Sequence, residues 1–423
     1  MSHPTAEEQR ADPGPSPARI RRIGLTTGVI LMLAFSIDYV DRFAVSMVLP
    51  AIGKEFSLSA TLQGSLVSAF AVVYMICQIP AGLVADKLGA RMVMLTTLVL
   101  WSAFTLGTAL ATSFAVLIGI RALFGASQGF FPASVFKTIS ERTTPHNRGT
   151  VTGLMTSASG IGTGVTPLIM APLLIAYGWR GSFMWLAGAG AVIGVVLWLV
   201  IPRKLPARLR DDQGGPAKPT PEARRAVLRS PQVWMLAAVF CAFNFVVYGL
   251  ITWVPSYLQV GKGISIGQTG VLASIPLLVS FVTTILGGWL FDRYFQARPR
   301  PYLFVTTLVS GIFMIPMAFV GSAETFIVFE TIASGIGGLG SMALVGLPMR
   351  VLPSSLTGTG MGVFNFGGQV AGLSAPLLLG VLVDNVSYGA AFGLLAVASL
   401  IAAGLALRMP ARPDDFSFVR KGV

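Results

Sequence analysis

Charge is scarce in this sequence. Asp, Glu, Lys and Arg together make up 11% of its 423 residues, and only 17 of them are acidic. A soluble domain carries about 25% charged residues, so an ordinary soluble enzyme or binding module is excluded. Cysteine and histidine are nearly absent, at two each. Cys77 and Cys241 sit inside apolar runs in different halves and read as small packing residues, with no disulfide implied. His3 and His146 fall in a tail and a loop, so no metal cluster is expected. There is no G-x-x-x-x-G-K-[ST] loop, which argues against an ATP-driven pump. No catalytic constellation stands out, so neither enzymatic activity nor a cofactor is expected. A cleavable signal peptide is not visible either: residues 1–19 are polar and Pro-rich, and the first apolar run is too long for an h-region.

What is abundant is apolar length. Hydrophobic residues make up 54% of the chain, with a mean hydropathy of +0.75. They gather into twelve runs: 23–49, 62–85, 92–111, 114–137, 150–177, 182–201, 233–258, 267–291, 301–320, 324–349, 358–383 and 388–408. About 20 residues cross the hydrocarbon core as a helix, and only helices satisfy their own backbone there when no barrel closes. The fold class predicted is an all-α membrane protein with twelve transmembrane helices.

The net charge of +13 does not indicate nucleic-acid binding, because the basic residues follow topology. Of 30 Lys and Arg, 25 fall in the termini and the even-numbered loops, Lys54, Arg180 and Lys262 on the other side, and Arg42 and Arg121 within helices. The positive-inside rule then puts both termini in the cytoplasm of a bacterial-type inner membrane. The expected organisation is a disordered tail at 1–22, a six-helix bundle at 23–201, a basic cytoplasmic linker at 202–232, a second bundle at 233–408 and a tail at 409–423. A monomer is expected.

The two bundles repeat each other. Gly82-Leu-Val-Ala-Asp86-Lys87-Leu-Gly89-Ala-Arg91 closes the second helix, and Gly288-Trp-Leu-Phe-Asp292-Arg293 closes the eighth. Pro167 matches Pro376, and Phe183 matches Phe392. Such a parallel repeat is pseudo-symmetric about an axis along the membrane normal, with a ligand site between the halves near mid-membrane.

Ionisable residues inside the membrane mark that site, since each costs several kcal/mol unless it faces protein or water. Asp38, Asp41 and Arg42 fall within one wedge of roughly 100° on the first helix, at about 100° per residue. Arg42 and Arg121 lie about seven residues below the outer ends of their helices, roughly 10 Å deep at 1.5 Å per residue. Two guanidinium groups at one depth suit a carboxylate or phosphate. Asp38 and Asp41 are the candidate proton carriers: desolvation and mutual repulsion favour a bound proton, and Arg42 opposes it. Two acids and two arginines make the empty site neutral, so an arriving anion is balanced by one proton. A purely structural Asp38–Arg42 ion pair is the competing reading. Glu330, in the tenth helix, is read as structural or as part of a gate, and Trp253, Phe364 and Phe366 as packing.

The G-x-x-x-D-K-x-G-x-R loop and the Arg121-Ala-Leu-Phe-Gly125-Ala-Ser-Gln128-Gly129 stretch resemble signatures of the major facilitator superfamily. Tyr39-Val-Asp41-Arg42, Gln78-Ile-Pro80-Ala-Gly82, Trp253-Val-Pro255-Ser-Tyr257-Leu258 and Asn365-Phe-Gly-Gly-Gln369-Val-Ala-Gly-Leu-Ser-Ala-Pro376 narrow the likeness to its anion:cation symporter family. That family includes bacterial transporters of sugar acids such as D-galactonate. The resemblance implies a conformational lock at Gly82, Asp86, Lys87, Gly89 and Arg91, answered by Glu141, Arg142 and Arg148. Substrate contacts are expected at Arg42, Arg121, Tyr39, Tyr74, Gln128, Ser159, Asn365 and Gln369, with helix–helix hydrogen bonding the alternative for the uncharged ones. Two positions depart from the family pattern: Gln128 stands where relatives often carry a Glu, and Ser159 where the sugar-acid branch tends to have Gln. Asp38 stands where many relatives have Asn, as though the second carboxylate had moved from helix four to helix one.

The resulting expectation is a secondary active transporter that imports a small organic anion with protons through alternating access. Proton-coupled efflux and organophosphate–phosphate exchange are the alternatives. Gly162-Thr-Gly164-Val-Thr166-Pro167 lacks the glycines of an exporter's fifth-helix motif, which counts against the first. The first-helix carboxylates count against the second.

Overall fold

The computed structural model describes residues 17–143, 145–201, 220–353 and 356–416. Most of the predicted tails and linker, with His3, lies outside the described residues. Within them the structure is helical and holds no strand.

In the first half, α1 is Pro17–Phe56, α2 Ala60–Leu88, α3 Ala90–Leu110, α4 Phe114–Arg142 and α5 Pro145–Val200. A short surface helix, α6 (Pro221–Leu228), lies in the predicted linker. The second half comprises α7 (Pro231–Ser256), α8 (Ile266–Leu290), α9 (Pro299–Met314), α10 (Ala323–Val351), α11 (Thr357–Asn385) and α12 (Tyr388–Leu407). Among the described residues, eleven helical segments are long and apolar enough to cross a membrane, and Arg148–Val200 is long enough to cross twice.

The double crossing replaces an expected loop. Residues 178–181 looked like a connection between two helices, but the chain turns at one residue, Gly178, with φ 67°. That conformation is strained for any residue with a Cβ, and glycine adopts it freely. The other turns at this end, opposite the termini, use serine instead. Ser59, Ser113, Ser265, Ser322 and Ser387 each accept a hydrogen bond from a first-turn N–H of α2, α4, α8, α10 and α12. Such a cap stabilises a helix start by about 1 kcal/mol.

Within the first half α1 packs along α5, α2 along α4, and α3 against α4 and α5; in the second, α7 packs along α11, α8 along α10, and α9 against α10 and α12. Trp101, Phe124 and Phe131 are buried in the first half, and Trp253, Phe326 and Phe392 in the second. The internal repeat is visible in the side chains. Asp86 pairs with Lys137 across α2 and α4, and Asp292, in the helical turn just after α8, with Arg350 of α10, each at 2.6 Å.

The halves meet along α2/α11, α5/α8 and α1/α7. At the far end from the termini this seam is closed by main chain. A Cβ on Gly380 would sit 2.7 Å from the Ala60 carbonyl oxygen, and one on Gly64 would overlap the carbonyl of Pro376. Asp384 on α11 accepts hydrogen bonds from Ala60 N, Thr61 N and Thr61 Oγ1, all at 2.7 Å. Gln259 donates across the seam to the Met47 carbonyl at 3.3 Å. At the termini end the halves part around a cleft of about 680 Å³.

Candidate functional site

The ionisable wedge of α1 lies deep in the first half. Asp38, Asp41, Arg42, Arg121 and Gln128 are all buried, none more than 6% exposed. Arg42 Nη2 reaches Asp38 Oδ2 at 3.3 Å, and Arg42 Nε donates to Gln128 Oε1 at 3.3 Å. Its guanidinium lies over the rings of Tyr74, Tyr39 and Phe70, with centroids at 4.5, 5.0 and 5.2 Å. Rings at this range favour the cation by about 0.5–2 kcal/mol each. Arg121 stands beside it, its Nη2 directed at the Arg42 carbonyl oxygen at 3.5 Å and its guanidinium over Phe124 at 5.2 Å.

Asp41 faces another way. Its Oδ2 accepts from Trp101 Nε1 and, at 2.5 Å, from Thr105 Oγ1, both on α3. Trp101 and Thr105 are four apart and so share a helix face. Within the α1 wedge Asp41 and Arg42 are about 100° apart, enough for neighbouring positions to address different helices. The structure brings Asp38, Arg42, Arg121 and Gln128 together and sets Asp41 against α3.

Four atoms of this cluster are buried without a hydrogen-bond partner: the donors Arg121 Nε and Gln128 Nε2, and the acceptors Asp38 Oδ1 and Asp41 Oδ1. Buried polar groups are rarely left so, each costing about 1–3 kcal/mol. Free donors on a guanidinium and an amide fit an anion's oxygens. Free acceptors on the acids fit a hydroxyl or a proton.

The second half contributes Tyr248 of α7, which the sequence did not single out. It stands near enough to Arg42 to interact with it, and its ring lies 6.2 Å from that of Phe43. Asn365 and Gln369 do not join the arginine cluster; with Gln78 and Trp234 they line the cleft at the termini end. Met75 and Gly129 line the same cleft, one residue from Tyr74 and Gln128. Ser159 stands apart, its hydroxyl bonded to the Thr156 carbonyl at 2.8 Å.

At the termini end, Asp86 is exposed and pairs with Lys137, another residue the sequence did not single out, within a pocket also lined by Gly82 and Glu141. Lys87 is exposed, and Gly89 turns the chain from α2 into α3 with φ 85°. Arg91 bonds the Ile201 and Trp198 carbonyls at the end of α5, where a cation complements the helix dipole. Arg148 donates to the Ser140 carbonyl at 3.1 Å, and Arg142 is buried. Cys77 and Cys241 are free thiols.

A family model described as the Major Facilitator Superfamily matches residues 31–376. The chain is 28% identical to the hexuronate transporter of Bacillus subtilis over 394 residues, covering 90% of this chain and 91% of that one. It is 28% identical to the D-galactonate transporter of Escherichia coli over 437 aligned positions, covering 92% and 95%. Among solved structures, a bacterial homologue of the human lysosomal transporter Spinster, in an inward-facing and unoccupied conformation, superposes with a TM-score of 0.79. The identity there is 18%, over 93% of this chain and 97% of that one, a likeness of fold.

Proposed function

The chain belongs to the major facilitator superfamily, an integral membrane transporter and not an enzyme, and on that premise we propose that it imports a small organic anion by proton symport. The anion is a sugar acid or another carboxylate, in keeping with the relatives' names, hexuronate and D-galactonate transporter. The observation that carries this reading is the pair of buried arginines, with Arg121 Nε and Gln128 Nε2 free to receive the anion's oxygens. Arg42, with Asp38, Gln128 and three aromatic rings already around it, holds the cationic wall of the site.

Protons enter through Asp38 and Asp41. The cluster is formally neutral when empty, so a bound monoanion leaves one uncompensated charge, which a proton on either acid removes. Loaded and empty carriers then both cross the membrane core without net charge. The seam supports alternating access: the far end is shut, the termini end is open, and in this reading rocking one half against the other exchanges them. With the termini in the cytoplasm, as the distribution of Lys and Arg supports, this conformer faces inward and the protein acts as a monomer.

The test is uptake by purified protein in proteoliposomes, against a panel of hexuronates, aldonates, aromatic acids and dicarboxylates, with and without a pH gradient. Accumulation driven by an inward proton gradient is expected for at least one acid. Uptake driven only by an outward gradient indicates efflux, and exchange with phosphate independent of pH indicates an antiporter. Either result overturns the proposal.

A further inference from the structure

Glu330 of α10 is used by nothing described so far. Its carboxyl is buried, 2% exposed, and its Oε2 has no hydrogen-bond partner. Among the described residues no Lys, Arg or His forms an ion pair with it. It borders a small cavity of about 20 Å³, room for about one water, whose other walls come from both halves. From the first half these are Ser46 on α1 and Thr163 and Thr166 on α5; from the second, Leu250 on α7 and Leu277 on α8.

The groups facing Glu330 supply no charge. Both threonine hydroxyls donate to their own helix, at the Ser159 and Gly162 carbonyls, each at 2.7 Å. Ser46 Oγ, like Glu330 Oε2, is without a partner. Helix α8 contains no ionisable side chain, and α7 has two, Tyr248 and the Cys241 thiol. On α1 the nearest ionisable residue is Arg42, a full turn deeper than Ser46 and committed to Asp38 and Gln128. The ionisable residues of α9, Arg300 and Tyr302, belong to its termini end, and Arg350 to that of α10. At the far end, Asp384 of α11 is engaged with Ala60 and Thr61, while Glu324 opens α10.

A carboxylate taken out of water without a counter-charge costs several kcal/mol, and a proton removes most of that cost. Glu330 lies seven residues from the start of α10 at the far end, roughly 10 Å deep at 1.5 Å per residue. The seam around it is therefore the part that separates when the far end opens, wetting the carboxyl. We infer that Glu330 is a proton-binding site in the second half, and that the far end closes only when a proton occupies it. This rests on the alternating-access reading above and adds to it a condition on one of its steps. Closure then stalls as the far-side medium becomes alkaline, whichever anion is bound.

The sign follows from linkage: the closed form holds one more proton than the open form, so rising pH favours opening. For one linked proton the open-to-closed ratio changes by up to about tenfold per pH unit. Spin labels on the exposed far-end positions Thr112 and Gly321, with Cys77 and Cys241 replaced by Ala, report the distance between halves in nanodiscs. The wild-type open population is expected to rise with pH, while Glu330→Gln stays closed across the same range in either sodium or potassium buffer. Glu330→Asp, which keeps an acid, is expected to retain a pH response with a displaced midpoint. A Glu330→Gln variant that tracks wild type overturns the inference. So does an unmoved midpoint in Glu330→Asp, or closure that follows sodium instead of pH. A far end that stays shut in every protein, with or without anion, overturns the alternating-access reading and this inference with it. Opening that ignores Glu330 overturns the inference alone.

Discussion

Arg121 Nη2 points at the backbone carbonyl of Arg42, 3.5 Å away. The two buried guanidinium groups are thus linked through the main chain of α1, with no carboxylate shared between them. Each keeps donors for a ligand that supplies its own negative charge.

Replacing either arginine by lysine keeps the charge and loses the planar fork. A charge-assisted hydrogen bond contributes about 1.5–3 kcal/mol, so Arg42→Lys and Arg121→Lys are each expected to weaken anion binding roughly 10- to 150-fold. Titration calorimetry on purified protein measures this, and near wild-type affinity in either variant removes that arginine from the site.

Gln128 holds Arg42 Nε through its amide oxygen at 3.3 Å. A carboxylate at this position keeps that contact and adds a group able to take a proton. Gln128→Glu is expected to raise the proton-to-anion ratio by about one, read from the membrane potential at which net transport reverses. Asp38→Asn removes such a group and is expected to lower the ratio; an unchanged ratio takes Asp38 out of the coupling.

Trp101 and Thr105 both donate to one oxygen of Asp41. Trp101→Phe preserves most of the ring and deletes the donor. A loss of about 1–3 kcal/mol in stability is expected, seen as a lower thermal transition in detergent. Thr105→Ala is expected to act in the same direction, and the double variant to lose less than the sum, because the two share an acceptor.

Asp384 receives three hydrogen bonds at the start of α2, each 2.7 Å long. Asp384→Ala removes them all and exposes two N–H groups at a helix N-terminus. The far-end open population is expected to rise about tenfold or more, given roughly 1.5–3 kcal/mol for bonds to a charged acceptor. Asp384→Asn is expected to fall between. Labels at Thr112 and Gly321 read both.

The Asp86–Lys137 and Asp292–Arg350 pairs have exposed acids, with side chains 70% and 62% accessible. Solvent screens such pairs, so Asp86→Asn and Asp292→Asn are each expected to cost less than about 1 kcal/mol of stability. A much larger loss in thermal scans assigns them a structural role that their geometry does not suggest.

The helical spans were legible because lipid leaves the backbone no choice: an apolar run of about 20 residues has to be a helix. The buried ions were legible for a related reason, since charge among such residues stands out. What the sequence hid is rotation. The wedge of Asp38, Asp41 and Arg42 looked like one wall, yet Asp41 turns to Trp101 on α3 while Arg42 turns to Gln128 on α4. Only the packing of α1 between those neighbours decides this. Tyr248 was missed because a tyrosine in an apolar helix carries no signal until another helix presents it with a cation. Lys137 was missed because it lies among the positive-inside residues. The turn at Gly178 was read as a loop because one positive φ in place of several loop residues leaves no mark in composition.

The glycines of α2 and α11 bear on how tightly the protein holds a gradient. Where Gly64 and Gly380 bring two helix backbones against each other, no rotamer flip is available to create a passage, so ions and water have nothing to slip past. Leakage through that barrier requires a whole helix to shift, and a stray fluctuation of one residue does not achieve it.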